Sequence, residues 1–311
     1  MNTRRIGSIE VSLAGLGCNN FGRRVDEART LEVVDAALEA GVTTFDTADI
    51  YGNGHSEEFL GRALGGRRDE AVVVTKFGMM QPPDGSSPGQ PDVVRASCDA
   101  SLGRLGMDRI DVYLLHRPDP QTPVGETLGA MNELVGEGKV REIGCSNFSP
   151  EQLGEAATFA ERESLGPFAT VQNEYSLLHR DPEESVLDAC ERLGMSFMPY
   201  FPLASGLLTG KYRRGSLAPA GTRLGGSGDQ PSEKVIEERR LEAADALREL
   251  AESRGHTLLE LALSWVASRS AVCTVIAGAT SAEQVRANAA ATTAWRLTDQ
   301  EIHEIDELTG R

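Results

Sequence analysis

Three ionisable residues close three successive apolar runs in this chain of 311 residues. Asp46 follows Thr-Thr-Phe, Lys76 follows Val-Val-Val-Thr and His116 follows Val-Tyr-Leu-Leu, while Tyr51 stands five positions beyond Asp46. If the runs are neighbouring strands, their backbones lie roughly 4.8 Å apart, so Asp46 and His116 are only about 10 Å apart with Lys76 between them. Buried Asp and Lys pair, because either alone would carry a large desolvation penalty. An ammonium beside a phenol is expected to favour the phenolate and lower a pKa that starts at about 10. Such a phenol can protonate a carbonyl oxygen as hydride reaches the carbon, an assistance worth roughly 10²–10⁴-fold. His116 can bond the same oxygen and fix its orientation. Singly, a strand-end lysine is ordinarily a salt-bridge partner and a strand-end histidine structural; it is the coincidence that points to catalysis.

The later runs end in neutral polar and aromatic groups: Ser146 and Asn147, then Gln172, then Tyr200. Asn147 and Gln172 can pair with a carboxamide, which offers both donor and acceptor. Tyr200 presents a flat face on which an aromatic ring can stack. Their other reading is that amides merely satisfy strand ends. Lys76 also admits a second chemistry, Schiff-base formation in an aldolase, although pairing with Asp46 would keep the amine charged. A metal-dependent hydrolase is a weaker reading. The five histidines show no metal-ligand spacing, and no metal is expected.

Positioning these groups requires strands that alternate with helices. Nearly continuous apolar runs, as expected of parallel strands covered on both faces, fall at 12–16, 43–45, 71–75, 110–115, 140–143, 169–171, 196–199 and 272–276. Helical patterns lie between them at 27–40, 56–64, 91–105, 124–137, 150–163, 182–193 and 282–291. Two more occupy 233–254 and 258–267, so one is extra, and a last one covers 297–308. Several open with a cap and proline, as in Ser149-Pro150 and Asp181-Pro182, and others end at Gly41 or Gly194. Eight strand–helix repeats predict one α/β domain over residues 1–311, a (β/α)8 barrel. A hairpin about Gly7-Ser8 is expected to close its bottom. A doubly wound sheet is the alternative, but Gly15-Leu16-Gly17 lacks the third glycine of a dinucleotide turn. Residues 81–90 and 213–232 interrupt the repeat after the third and seventh strands, the face where barrels keep their sites, and are expected to be binding loops.

Composition narrows the setting. Net charge is −16, from 47 acidic and 31 basic residues, which repels a nucleic-acid backbone. The longest apolar stretches are far too short to cross a bilayer, and no apolar signal core follows the N-terminus, so no membrane partner is expected. Five scattered cysteines, never in a CxxC pair, fit a reducing cytoplasm. Oligomeric state is not readable.

The chain resembles the aldo-keto reductase family from Gly15 to Asn288. The stretch Ala40-Gly41-Val42-Thr43-Thr44-Phe45-Asp46-Thr47-Ala48-Asp49-Ile50-Tyr51-Gly52 is similar to that family's signature. Val74-Thr75-Lys76 resembles its lysine strand, and Leu114-Leu115-His116-Arg117-Pro118-Asp119 its histidine strand. The resemblance implies that Tyr51 donates the proton, Lys76 and Asp46 tune it and His116 positions a small carbonyl substrate. It implies NADPH as cofactor, with NADH possible. The cofactor would meet Gly17, Cys18, Asn19 and Asp46, and its nicotinamide Ser146, Asn147, Gln172 and Tyr200. Leu203-Ala204-Ser205-Gly206-Leu207 and Lys211 match the family's pyrophosphate segment, Phe201 and Pro202 would be further cofactor contacts, and Arg223 resembles its phosphate-binding arginine. Gly278, Thr280, Gln284 and Asn288, at a helix N-terminus, would take the adenosine phosphate. Two positions depart from the pattern. Many members have a basic residue near Gly278 or Thr280, and some have Glu where Ala287 stands. Asn19, Asn20, Phe21, Phe77, Met79 and Phe201 are the expected walls of the substrate pocket. The family's likeness to potassium-channel β-subunits implies one further reading, an NADPH-binding redox sensor with little turnover.

Overall fold

A computed structural model describes residues 2–212 and 238–310. Its first two strands, β1 (Thr3–Ile6) and β2 (Ile9–Ser12), form an antiparallel hairpin in which Thr3 faces Ser12. Eight parallel strands then close a barrel: β3 (Ala14–Gly17), β4 (Thr44–Asp46), β5 (Val72–Phe77), β6 (Ile110–Leu115), β7 (Val140–Ser146), β8 (Thr170–Glu174), β9 (Ser196–Tyr200) and β10 (Val275–Gly278). β10 pairs with β3, so no edge is left open.

Around it run α1 (Glu27–Glu39), α2 (His55–Leu64), α3 (Pro91–Leu105), α4 (Val124–Gly136), α5 (Pro150–Glu163), α6 (Val186–Leu193), α7 (Glu238–Ser253), α8 (Leu258–Ala267), α9 (Ala282–Ala291) and α10 (Asp299–Thr309). Their starts follow local chemistry. Ser149 and Gln152 form a reciprocal capping box before α5, with Pro150 at its first position. Gly106 ends α3 in the left-handed region at φ 63°.

Among the described residues the expected elements are present with shifted bounds, and positions 233–237 of the helix expected over 233–254 lie outside them. The helix expected over 182–193 is broken: Asp181–Glu184 forms a 3-10 turn, and Ser185 (φ −153°, ψ −71°) separates it from α6. The run expected at 12–16 is split, because the hairpin ends at Ser12 and the barrel strand begins at Ala14. Regular pairing in the last strand starts at Val275 rather than 272. At the opposite ends β4, β5, β7, β8 and β9 continue past their last apolar run. Polar side chains end a hydrophobic pattern without ending a backbone ladder.

Alternation of faces explains where those polar ends point. Val72, Val74, Val112, Leu114, Met198 and Ile276 pack inside the barrel against Ile6, Ile9 and Val11 of the hairpin, which plugs the lower end. Each fully buried isoleucine of that plug contributes about 1.5–3 kcal/mol. Two residues beyond this layer, on the same inward face, come Lys76, His116, Tyr200 and Gly278. Gly144 lets the wall close tightly: a Cβ there would meet the Thr170 carbonyl oxygen at 2.5 Å and Leu114 Cδ2 at 2.7 Å.

Candidate active site

Beyond Asp46 the chain turns back over the barrel mouth. Thr47 N donates to Val74 O (2.8 Å) and Asp49 N to Lys76 O (3.1 Å), which ties the turn to β5. Gly52 (φ 58°), Asn53 (φ 57°) and Gly54 (φ 92°) then take left-handed conformations before α2. Gly52 is required twice over, since a Cβ there would also meet Phe21 O at 2.8 Å. The turn brings the Tyr51 ring over Lys76, whose Nζ lies 5.1 Å from the ring centroid.

Lys76 is fully buried. Its ammonium has three protons and three partners: Asp46 Oδ1 at 2.7 Å, Thr47 O at 2.7 Å, and the Tyr51 hydroxyl. Burial opposes the charge, but Asp46 and Tyr51 outweigh it and raise the Lys76 pKa. Gln172 Nε2 donates to the same Asp46 Oδ1 at 2.9 Å, so β8 steadies the carboxylate from across the barrel. The His116 ring meets Tyr51 edge-on, with centroids 5.9 Å apart at 82°. Desolvation, then the charges of Lys76 and Arg117, push the His116 pKa down to about 3. Its imidazole is therefore neutral, and Nδ1 has no partner among the described residues.

One electrostatic expectation is corrected. The Tyr51 pKa is raised rather than lowered. Desolvation of the phenolate is the largest influence, and the ammonium of Lys76 only partly offsets it.

The neutral ends form a second network. Ser146 Oγ donates to Gln172 O at 2.7 Å, and Asn147 Nδ2 donates to His116 O and Ser146 Oγ, both at 3.0 Å. Tyr200 OH donates to Asn147 Oδ1 at 2.8 Å. Both amide protons of Asn147 are thus engaged, whereas among the described residues Gln172 keeps one amide proton and its carbonyl oxygen open. Asn147 (φ 62°), Phe201 (φ 53°), Ala204 (φ 47°) and Ser205 (φ 58°) all hold left-handed backbone at this rim. Non-glycine residues persist there only where the surroundings enforce it, and such residues cluster at functional sites.

These groups open onto a cavity of about 730 Å³. That is the size of small-molecule and cofactor sites. Tyr51, His116, Asp46, Gln172, Ser146 and Asn147 line one end. Gly17, Asn19, Tyr200, Phe201, Pro202 and Leu203 follow, then Ser205, Gly206 and Lys211. Gly278, Thr280, Gln284 and Asn288 line the part formed by β10 and α9. Ser281 caps α9, and Gln284 Oε1 accepts from Thr280 N at 2.8 Å. Lys76 reaches the cavity through Tyr51 and Asp46. Arg223 and the 213–232 loop lie outside the described residues.

Other expectations are not met. Cys18 is wholly buried, its Sγ 3.6 Å from Leu16 O, and does not line the cavity. Phe21 and Phe77 are buried outside it as well, Phe77 stacked on Tyr113 at 4.7 Å. Asn19, Asn20, Met79 and Phe201 do form its wall. The 81–90 loop does not, because Gly89 N donates to Asp119 Oδ2 (2.7 Å) and Ser87 bonds the same oxygen, pinning the loop beside the segment after β6. Wall residues not anticipated include Arg23, Arg24, Ile50, Arg117, Thr209 and Leu259. Position past a strand end was the available signal for Arg23, Arg24 and Arg117. Among the described residues no group of His, Cys, Asp or Glu could hold a metal, and no helix is long and apolar enough to cross a membrane.

Comparison with known proteins agrees with this fold. The sequence model described as "Aldo/keto reductase family" matches residues 14–309. The chain is 33% identical over 305 residues to a soybean (Glycine max) protein called probable aldo-keto reductase 1, covering 96% of this chain and 85% of the relative. It is 37% identical over 276 residues to a probable voltage-gated potassium channel subunit beta of Oryza sativa subsp. japonica, covering 86% and 83%. It is 34% identical over 300 residues to the L-glyceraldehyde 3-phosphate reductase of Escherichia coli K12, covering 93% and 86%. Among solved structures, a glycerol dehydrogenase from Gluconobacter oxydans superposes with a TM-score of 0.85 at 31% identity, covering 99% of this chain and 95% of that one.

Proposed function

The chain belongs to the aldo/keto reductase family, an oxidoreductase family that works with NADP(H), and on that premise we propose that it reduces an aldehyde or ketone to an alcohol with Tyr51 as general acid. The observation that carries this reading is the line from Gln172 through Asp46 and Lys76 to the Tyr51 hydroxyl, which ends in the cavity beside His116. Bound NADPH supplies the hydride. Tyr51 gives its proton to the carbonyl oxygen as the carbon is reduced, and solvent entering the open cavity restores it. The ammonium of Lys76 stabilises the transient phenolate, Asp46 holds that ammonium charged, and Gln172 holds Asp46. Neutral His116 orients the carbonyl by donating a hydrogen bond.

Gln172 and Tyr200 suit a carboxamide and an aromatic ring, the strained turn at Ser205 with Lys211 suits a pyrophosphate, and the α9 N-terminus suits an adenosine phosphate. NADPH is the proposed cofactor and NADH the alternative, since the described wall at α9 carries no cation. Action in the cytoplasm is part of the same reading. A raised Lys76 pKa disfavours the aldolase, because a Schiff base needs a neutral amine. Likeness to a channel β-subunit favours one rival, a slow redox sensor.

Tyr51→Phe decides among these. It is expected to keep NADPH affinity, read by cofactor fluorescence, and to slow single-turnover NADPH oxidation by roughly 10²–10⁴-fold across a panel of carbonyls. Oxidation at the wild-type rate would refute the proposed acid. Negligible turnover by the wild type, with cofactor retained, would favour the sensor.

A further inference from the structure

The whole chain carries 31 basic residues against 47 acidic ones, yet its large cavity reverses that balance. Among the described lining residues Arg23, Arg24, Arg117 and Lys211 are basic and Asp46 is the acidic one. Asp46 is already neutralised by Lys76 at 2.7 Å. The remaining positive charge is unevenly placed. At α9 the lining residues Gly278, Thr280, Gln284, Ala287 and Asn288 are all uncharged. Arg286 of that helix is turned away, bonded to Glu39 at 3.0 Å.

Lys211 belongs to the segment after β9, whereas Arg23 and Arg117 follow strands on either side of Asp46 and Lys76. Arg117 directly follows His116 and is exposed. Its charge helps to keep His116 neutral and opposes the upward push of burial on Tyr200, so it acts on the groups beside Tyr51. Arg23 is exposed on the loop after β3, which packs on the Tyr51 turn: a Cβ at Gly52 would meet Gly22 Cα at 3.2 Å. Arg24 already makes a polar contact of its own. Arg23 and Arg117 thus flank the two strands, β4 and β5, that carry Asp46 and Lys76. An arginine on a surface this acidic ordinarily finds a carboxylate, as Arg62, Arg95 and Arg254 do.

We infer that the carbonyl substrate is an anion, a small aldehyde or ketone bearing a carboxylate or phosphate whose charge is held by Arg117, with Arg23 reinforcing the field. This rests on the reductase reading and adds a substrate class to it. A concave wall of one sign concentrates oppositely charged ligand, and guanidinium is the donor geometry that both anions fit.

The test compares kcat/KM for matched pairs with NADPH: 4-carboxybenzaldehyde against its methyl ester, and glyceraldehyde 3-phosphate against glyceraldehyde. The first pair reports on carboxylate and the second on phosphate. At least one anion is expected to be preferred by about 3–10-fold, with the preference shrinking as salt shortens the Debye length to about 3 Å at 1 M. Arg117→Gln should reduce the ratio, Arg117→Lys should restore part of it, and Arg117→Glu should bring it below one. Arg23→Gln gives a smaller reduction, and provides a second variant should one at Arg117 fold poorly. Ratios at or below one in the wild type for both pairs, or a ratio indifferent to salt and to Arg117, would overturn the inference. A binding arm needs no turnover: calorimetric titration of 4-(hydroxymethyl)benzoate and its methyl ester into NADPH-loaded protein. Tighter binding of the benzoate without oxidation of NADPH by any aldehyde would support the anion site and sink the reductase reading. Equal binding of the two alcohols, together with oxidation that ignores charge, would do the reverse.

Discussion

Removing one member of the Asp46–Lys76 pair should destabilise the protein more than removing both. At 2.7 Å the gross attraction is about 6 kcal/mol at an effective dielectric of about 20, and it is offset by the desolvation of two buried ions. In Asp46→Asn the Lys76 ammonium keeps Thr47 O and the Tyr51 hydroxyl but loses the charge that compensates it. In Lys76→Met the Asp46 carboxylate keeps the Gln172 amide and little else. Each single change is expected to cost about 3–5 kcal/mol. The double variant Asp46→Asn/Lys76→Met buries no net charge and should fall within about 2 kcal/mol of wild type. Urea unfolding gives the stabilities from the shift in midpoint at constant slope. NADPH oxidation, measured on the same samples, should stay roughly 10²–10⁴-fold below wild type in all three variants. Stability would return without activity. An Asp46→Asn protein that unfolds at the wild-type midpoint, or a double variant as unstable as the two singles added together, would refute the coupling.

His116 gives a pH signature. Its folded-state pKa of about 3 lies below the usual value of about 6.5, so the unfolded chain binds a proton there that the folded chain refuses. The stability that it contributes is complete above pH 6.5 or so and is lost as pH falls toward 3, by at most about 1.4 kcal/mol per unit. His116→Gln should therefore lose less stability than wild type between pH 6.5 and 4.5 in urea titrations; parallel curves would show that this imidazole is not excluded from protonation. Gly144→Ala should destabilise by about 1–3 kcal/mol, because the new methyl meets backbone oxygen at 2.5 Å and little can move aside. A wild-type urea midpoint for that variant would mean that the β7–β8 wall yields more readily than its contacts imply.

What the sequence disclosed, and what it concealed, divides along physical lines. Asp46, Lys76 and His116 were legible because each is an ionisable residue that closes a largely apolar run, and the barrel makes such positions converge. Cys18, Phe21 and Phe77 were misplaced for a related reason. Cys18 and Phe77 are immediate neighbours of the inward-facing Gly17 and Lys76, so strand alternation turns both away from the lumen, and Phe21 is buried beside the same rim. Strict use of the two-residue period would have excluded the first two. Arg23 and Arg117 also lie just past strand ends, but the sequence does not show that, among the described residues, no carboxylate pairs with them.

The Tyr51 pKa shows a different limit. A neighbouring ammonium can be read from motif spacing, whereas the desolvation that outweighs it exists only once the turn has folded over the barrel. In the proposed reaction the two influences act at different moments. Burial disfavours the phenolate before reduction, so the acid waits fully protonated at neutral pH. Lys76 then faces the oxygen that becomes negative when the proton leaves, and its other two protons are already fixed by Asp46 and Thr47. It therefore need not reorient as charge develops. A phenol whose pKa had simply been lowered would begin to lose its proton to solvent before any carbonyl arrived.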